Sequence, residues 1–251
     1  MTTSVLPGAE PFSAAGGPDG ALVIHGFTGC PQSMRPLAQK LAGAGFAVEL
    51  PLLPGHGTSV DDMLPTRWDD WFATVDAAFV ELSARSERMV LAGLSMGGTL
   101  ALQLAIEHEG VAGVIAINAA LMDTTEPMRM PLQEFIDAGE VTLAGLGNDV
   151  ADPSQKELAY EEIPLESMMS MFDGIDGVVA RLDQVRCPVL ALHSTQDHVV
   201  PPGATELLQH AVKSDLEVVT LERSFHVATL DYDRDIVEAR AVDFAKRVTA
   251  R

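Results

Sequence analysis

Short apolar runs alternate with amphipathic stretches along most of this 251-residue chain, and that alternation narrows its fold more than any other feature. Residues 21–25 form an apolar run stopped by Gly26, as a strand buried on both faces does. Helical spacing follows over 34–44 up to Gly45, then a strand over 46–50 and a Pro/Gly loop over 51–57. After Thr66, which reads as an N-cap, Trp68, Trp71, Phe72, Val75, Phe79 and Leu82 recur at helical steps. A strand over 89–92, a helix over 97–108 and a strand over 111–117 come next. Beyond a stretch without clear strands, the order resumes with a strand over 188–193, a helix over 202–212, a strand over 217–221 and a helix over 234–248. Residues 1–19, rich in Gly, Pro, Ala and Ser, read as an irregular arm or one short edge strand.

Such an order predicts an α/β fold with a mostly parallel sheet and helices on both faces. The interruption over 118–180, about sixty residues, is too long for a connecting loop. The expected organisation is one core, 1–117 with 181–251, carrying a small lid inserted over 118–180.

Charge narrows the partners. The chain has 16 basic and 36 acidic side chains, a net charge of −20 at pH 7. Nucleic acid and anionic lipid surfaces both call for clustered Lys and Arg, so neither is an expected partner. The longest uncharged run, 89–106, reaches the length of a membrane span but is broken by Gly93, Ser95, Gly97, Gly98, Thr99 and Gln103. It reads as strand–turn–helix, and no stable membrane insertion is expected. Cys30 and Cys187 sit in no CxxC or ligand pattern, and no basic residue precedes Arg35, so the positive region of a secretory signal is missing. A cytoplasmic protein, monomeric or weakly dimeric, is the expectation.

Gly93-Leu-Ser-Met-Gly97 falls where the strand over 89–92 turns into a helix. A G-x-S-x-G sequence needs that context, because its glycines let strand and helix approach while the serine takes a strained backbone. The turn lifts Ser95 Oγ above the sheet, beside a helix N-terminus that favours negative charge. A serine hydroxyl becomes nucleophilic when a histidine removes its proton and a carboxylate fixes that histidine. Of seven histidines, His226 follows the last strand and precedes the last helix, where the base belongs. His198 competes, but it adjoins Asp197, and neighbours on an extended loop point apart. His108 and His210 fall on predicted helices and read as solvated. Asp197, beyond the strand ending at His193, is preferred as the acid over Asp123, while Asp231 and Asp233 read as caps of the last helix.

Two backbone N–H groups are needed for the tetrahedral oxyanion. Met96, next to the nucleophile, and Phe27, in the loop after the first core strand, are the expected donors. His25 and His56 read as braces of their loops. No metal-ligand spacing, GxGxxG or P-loop occurs, and the chemistry calls for no cofactor.

His25-Gly-Phe-Thr-Gly29, Pro54-Gly-His-Gly57, Gly93-Leu-Ser-Met-Gly-Gly98, Asp197-His-Val-Val-Pro-Pro202 and Ser224-Phe-His-Val-Ala-Thr-Leu-Asp231 together resemble the α/β-hydrolases. Within them the resemblance is to bacterial monoacylglycerol lipases, and less closely to small bacterial carboxylesterases, from about residue 20 onward. It implies Ser95, Asp197 and His226 as a triad, the Phe27 and Met96 N–H groups as an oxyanion hole, and a mobile lid over an acyl tunnel. It also implies that Glu157, in Lys156-Glu-Leu-Ala-Tyr160, senses glycerol hydroxyls; a solvated helix charge is the other reading of that residue. Six of eleven methionines lie in 118–180, and thioethers adapt to irregular apolar shapes. Cleavage of monoacylglycerols is the expected activity, with a broad carboxylesterase as the alternative. A thioesterase or peptidase would use the same machinery, since fold does not fix substrate.

Overall fold

The structure, a computed structural model, describes residues 4–122, 124–145, 147–201 and 203–250. Its strands are β1 (Phe12–Ala14), β2 (Asp19–Ile24), β3 (Ala47–Leu50), β4 (Arg88–Leu94), β5 (Val111–Ile117), β6 (Thr142–Ala144), β7 (Glu162–Pro164), β8 (Val189–Ser194) and β9 (Leu216–Leu221). Its helices are α1 (Pro31–Gly43), α2 (Val60–Met63), α3 (Trp68–Ser83), α4 (Met96–Glu107), α5 (Glu126–Asp137), α6 (Leu165–Val179), α7 (Gly203–Ala211) and α8 (Arg234–Val248).

Among the described residues, seven strands form one sheet in the order β1-β3-β2-β4-β5-β8-β9. All neighbours are parallel except β1, which lies antiparallel on β3 as the edge strand. Side chains of a strand alternate between faces, and here both faces are apolar. Leu22, Ile24, Leu91, Val114 and Ala191 join one core with Trp71, Leu100, Ile175 and Leu208, so α3, α4, α6 and α7 cover that face. Ala21, Val23, Val90, Ile115 and Leu190 join the other with Leu37, Leu41, Ala241 and Phe244, from α1 and α8. Each fully buried aliphatic side chain of this kind contributes about 1.5–3 kcal/mol. The mostly parallel sheet covered on both faces is the one expected from the strand–helix order.

Local differences have physical causes. The N-cap of α3 is Arg67 rather than Thr66: the Arg67 N–H donates to Asp70 Oδ2 (2.9 Å), while Thr66 Oγ1 donates back to Met63 O (2.8 Å). Residues 118–180 do contain strands, the three-residue pair β6 and β7, antiparallel to each other and apart from the main sheet. His108 is not simply solvated, because its ring stacks on Phe79 at 4.4 Å and its Nε2 meets Asp76.

Candidate active site

Five neighbouring strands, β2, β4, β5, β8 and β9, deliver the candidate residues from their carboxyl ends, where open α/β sheets bind ligands. Ser95 sits between β4 and α4 with φ 54° and ψ −123°, outside the conformations an ordinary residue adopts. Close packing enforces this. A Cβ on Gly93 would lie 2.1 Å from Gly97 O, and one on Gly97 would lie 2.4 Å from Ile24 O. The Ser95 N–H donates to Ile117 O (3.0 Å), and its carbonyl accepts the N–H groups of Gly98 (2.9 Å) and Ala120 (3.1 Å).

His226 lies on the loop after β9 and Asp197 on the loop after β8. His226 Nδ1 donates to Asp197 Oδ2 at 2.8 Å, with the two side chains 9% and 1% exposed. Asp197 Oδ1 accepts the N–H groups of Val199 and Val200, each at 2.8 Å. Burial pushes the Asp197 carboxyl up, but the hydrogen bond and charge of His226 and the two amides outweigh it, leaving the group below its usual range. His198 points elsewhere: it is largely exposed, and its Nδ1 meets Asp149 Oδ1 at 2.7 Å. Asp123, the rival acid, lies outside the described residues.

Met96 begins α4, so its N–H has no partner four residues back within the helix. The β2–α1 loop packs on the same turn, with a Gly26 Cβ position 3.4 Å from Ser95 Cβ. Phe27 follows in this loop, its ring edge-on to Trp71 at 5.6 Å. His25 braces the loop. Its Nε2 accepts the Leu53 N–H (3.2 Å), which leaves the ring proton on Nδ1 to donate to Gly26 O (2.9 Å). Burial lowers His25 to about 3 and His56, whose Nδ1 donates to Pro54 O, to about 4.

Glu157 is not on a helix; it lies in an irregular run between β6 and β7. Its Oε1 would be 2.7 Å from a Cβ on Gly29, so it borders the loop that carries Phe27. Burial raises its pKa, against the opposing charge of His226 and a hydrogen bond from Ser33. The solvated-charge reading therefore does not describe this residue.

Three further residues matter here, and of them only Asp231 falls in a quoted motif. Asn118, at φ 41° and buried, donates through Nδ2 to His226 O (2.7 Å) and Ser194 Oγ (2.9 Å), and accepts the Ser194 N–H (2.8 Å). Asp149 accepts the N–H of His226 (3.0 Å). Asp231, read from sequence as a helix cap, instead accepts the N–H groups of Ala151 (2.7 Å), Asp152 (3.0 Å) and Phe225 (2.9 Å). Asp233 does occupy the N-cap position of α8, yet its carboxylate binds the Arg223 and Ser224 side chains and the Arg223 N–H, not the helix. Proximity to a helix start is the sequence signal for a cap, and tertiary partners overrode it twice.

The comparisons with known proteins agree with one another. A model of the alpha/beta hydrolase family matches residues 21–239. The chain is 43% identical to the thermostable monoacylglycerol lipase of Bacillus sp. (strain H-257), over 96% of this chain and 95% of that protein. It is 25% identical to a carboxylesterase of Bacillus subtilis (strain 168), over 95% and 97%. A solved structure from work on LipS and LipT, two metagenome-derived lipolytic enzymes, superposes with a TM-score of 0.92 at 39% identity, covering 97% of this chain and 100% of that one.

Proposed function

The chain belongs to the alpha/beta hydrolase family, and we propose that it is a serine ester hydrolase that cleaves monoacylglycerols to fatty acid and glycerol. The observation that carries this reading is the buried His226–Asp197 pair at the same sheet edge as a serine held at φ 54° on a helix N-terminus. Ser95 Oγ attacks the ester carbonyl as His226 Nε2 takes its proton, with Asp197 holding the imidazole by Nδ1–H. The N–H groups of Met96 and Phe27 stabilise the oxyanion. Glycerol leaves with the proton from His226, and water, activated by the same imidazole, releases the fatty acid. Residues 118–180 act as a lid, in which Met128, Met130, Phe135 and Val141 are exposed. Among the described residues no helix is long and apolar enough to cross a membrane. Two buried free thiols accord with a cytoplasmic location.

Glu157 favours monoacylglycerols over simple esters, because a partly buried carboxylate beside the oxyanion loop accepts hydroxyl hydrogen bonds that a methyl ester cannot offer. One such charge-assisted bond amounts to about 1.5–3 kcal/mol, or roughly ten- to a hundredfold in rate. The test is kcat/KM for a medium-chain monoacylglycerol beside the methyl ester of the same acid. We expect a preference of that size for the glycerol ester, collapsing in Glu157→Leu. Equal rates in the unmodified enzyme would instead establish a carboxylesterase that reads only the acyl chain.

A further inference from the structure

Asp149 makes more hydrogen bonds to the acid and base loops than any step of ester cleavage requires. It belongs to the inserted segment, not to either loop. Its Oδ2 accepts the backbone N–H of His226 (3.0 Å) and of His198 (3.3 Å), the residue after Asp197. Its Oδ1 meets His198 Nδ1 at 2.7 Å, and its own carbonyl accepts the Val227 N–H at 3.1 Å. Two residues on, Ala151 and Asp152 donate to Asp231, which also holds the Phe225 N–H. Residues 149–152 thus bind His226 and Val227 directly and Phe225 through Asp231, together with the neighbour of the acid.

The two loops need such a grip. β8 and β9 pair only as far as Ser194 and Leu221, so the ladder does not set the spacing between Asp197 and His226. Asn118 secures the His226 carbonyl, and Asp149 secures its N–H. A carboxylate suits this task, since hydrogen bonds to an ionised acceptor are shorter and about twice as strong as neutral ones.

We propose that Asp149 is a positioning residue, through which the inserted segment holds the acid and base loops at the separation where His226 and Asp197 are hydrogen-bonded. The proposal rests on the reading of Ser95, His226 and Asp197 as the triad. A displacement of about 1 Å at a catalytic group costs on the order of a hundredfold in rate, so the loss should appear in kcat for every ester, whatever its alcohol.

The experiment compares Asp149→Ala, Asp149→Asn and Ser95→Ala on a p-nitrophenyl ester, with the pH profile of kcat and the downfield proton resonance of the His226–Asp197 hydrogen bond. Asp149→Ala should lower kcat about 10- to 100-fold, move the pH limb set by the histidine, and shift or broaden that resonance, with KM changed by less than about threefold. Asp149→Asn keeps an oxygen for the His226 N–H and should restore most of the rate. An alanine variant that folds, keeps kcat within about twofold and leaves the resonance unmoved overturns the proposal. If alanine does not fold, Asp149→Glu decides. Its carboxylate keeps the charge but overreaches the His226 N–H, so a lowered kcat with a shifted resonance supports positioning, and an unchanged kcat overturns it. Retained turnover in Ser95→Ala would overturn the triad reading itself, whereas an inactive Ser95→Ala beside an unaffected Asp149→Ala overturns only the role of Asp149.

Discussion

Thr28, Ser95 and Asn118 are the non-glycine residues with positive φ among the described residues, and each sits on a loop leaving a strand end at the candidate site. A conformation of this kind costs about 1–3 kcal/mol and persists only where the surroundings over-determine it. Ser95 is held through both its N–H and its carbonyl, Asn118 through its side chain, and the Thr28 carbonyl accepts the Tyr160 N–H (3.1 Å). Ser95 was legible because the strand, the two glycines and the following helix all mark the same turn. Asn118 was not, since an asparagine after a strand is an ordinary turn residue. Asp149 was hidden for another reason: its segment has no periodicity, and its partners lie 49 and 77 positions away. For the nucleophile, Ser95→Ala should leave thermal stability close to that of the parent, because the backbone restraints on residue 95 involve no side-chain atom. Turnover should fall on the order of 10⁶-fold, as for comparable triads. A melting curve measures the first and steady-state rates the second, and more than a few per cent residual activity in a clean preparation would remove Ser95 from the role.

Among the elements, the segment over 118–180 departs most from what periodicity conveys. Read from sequence it is one strandless block, yet it combines an outer helix α5 with no buried residue, a three-residue strand pair, and α6, which buries Met171, Phe172 and Ile175 in the main core. Strands of three residues are too short for alternation to register, whereas α6 joins the core through an ordinary helical stripe. Two glycines on α6 separate packing from propensity. A Cβ on Gly174 would lie 2.0 Å from Trp68 Cδ2, in an indole whose Nε1–H is fixed on Gln103 Oε1 (2.8 Å); a Cβ on Gly177 would meet nothing within 4 Å. Alanine favours a helix interior over glycine by about 0.5–1 kcal/mol. Gly177→Ala should therefore stabilise by that amount, while Gly174→Ala must displace Trp68 and should destabilise by about 1–3 kcal/mol. Urea unfolding of both variants reads the difference, and equal signs would mean that α6 does not pack on Trp68 as described.

At the scale of the whole molecule, the mostly parallel sheet and its helix coverage followed from alternation because a strand buried on both faces and a helix buried on one have distinct periods. The tying of the insertion to both sides of the site depends on hydrogen bonds between distant segments, which no local pattern encodes. One global property rests on two of the braces, His25 and His56. Both are buried, and burial lowers them to about 3 and about 4; in the unfolded chain each titrates near 6.5. Between those limits the unfolded chain binds protons that the folded protein refuses, so stability is complete above pH 6.5 and declines as the pH falls towards 4. Well inside the window each histidine contributes a slope of about 1.4 kcal/mol per pH unit. Asp197 acts in the same sense at lower pH: its lowered carboxyl stabilises the fold above the usual carboxylate range, and that contribution is lost as the pH falls through its folded value. His56→Asn isolates the effect, because an asparagine Nδ2 can still donate to Pro54 O but does not titrate. Groups common to both proteins cancel in the comparison, including those behind the net charge of −20. The loss of stability between pH 6 and pH 5 should be smaller in the variant by about 1 kcal/mol, or roughly 2–4 °C in Tm for a chain of this size. Parallel melting curves at the two pH values decide the matter, and identical acid shifts in parent and variant would mean that His56 already takes up a proton in the folded protein.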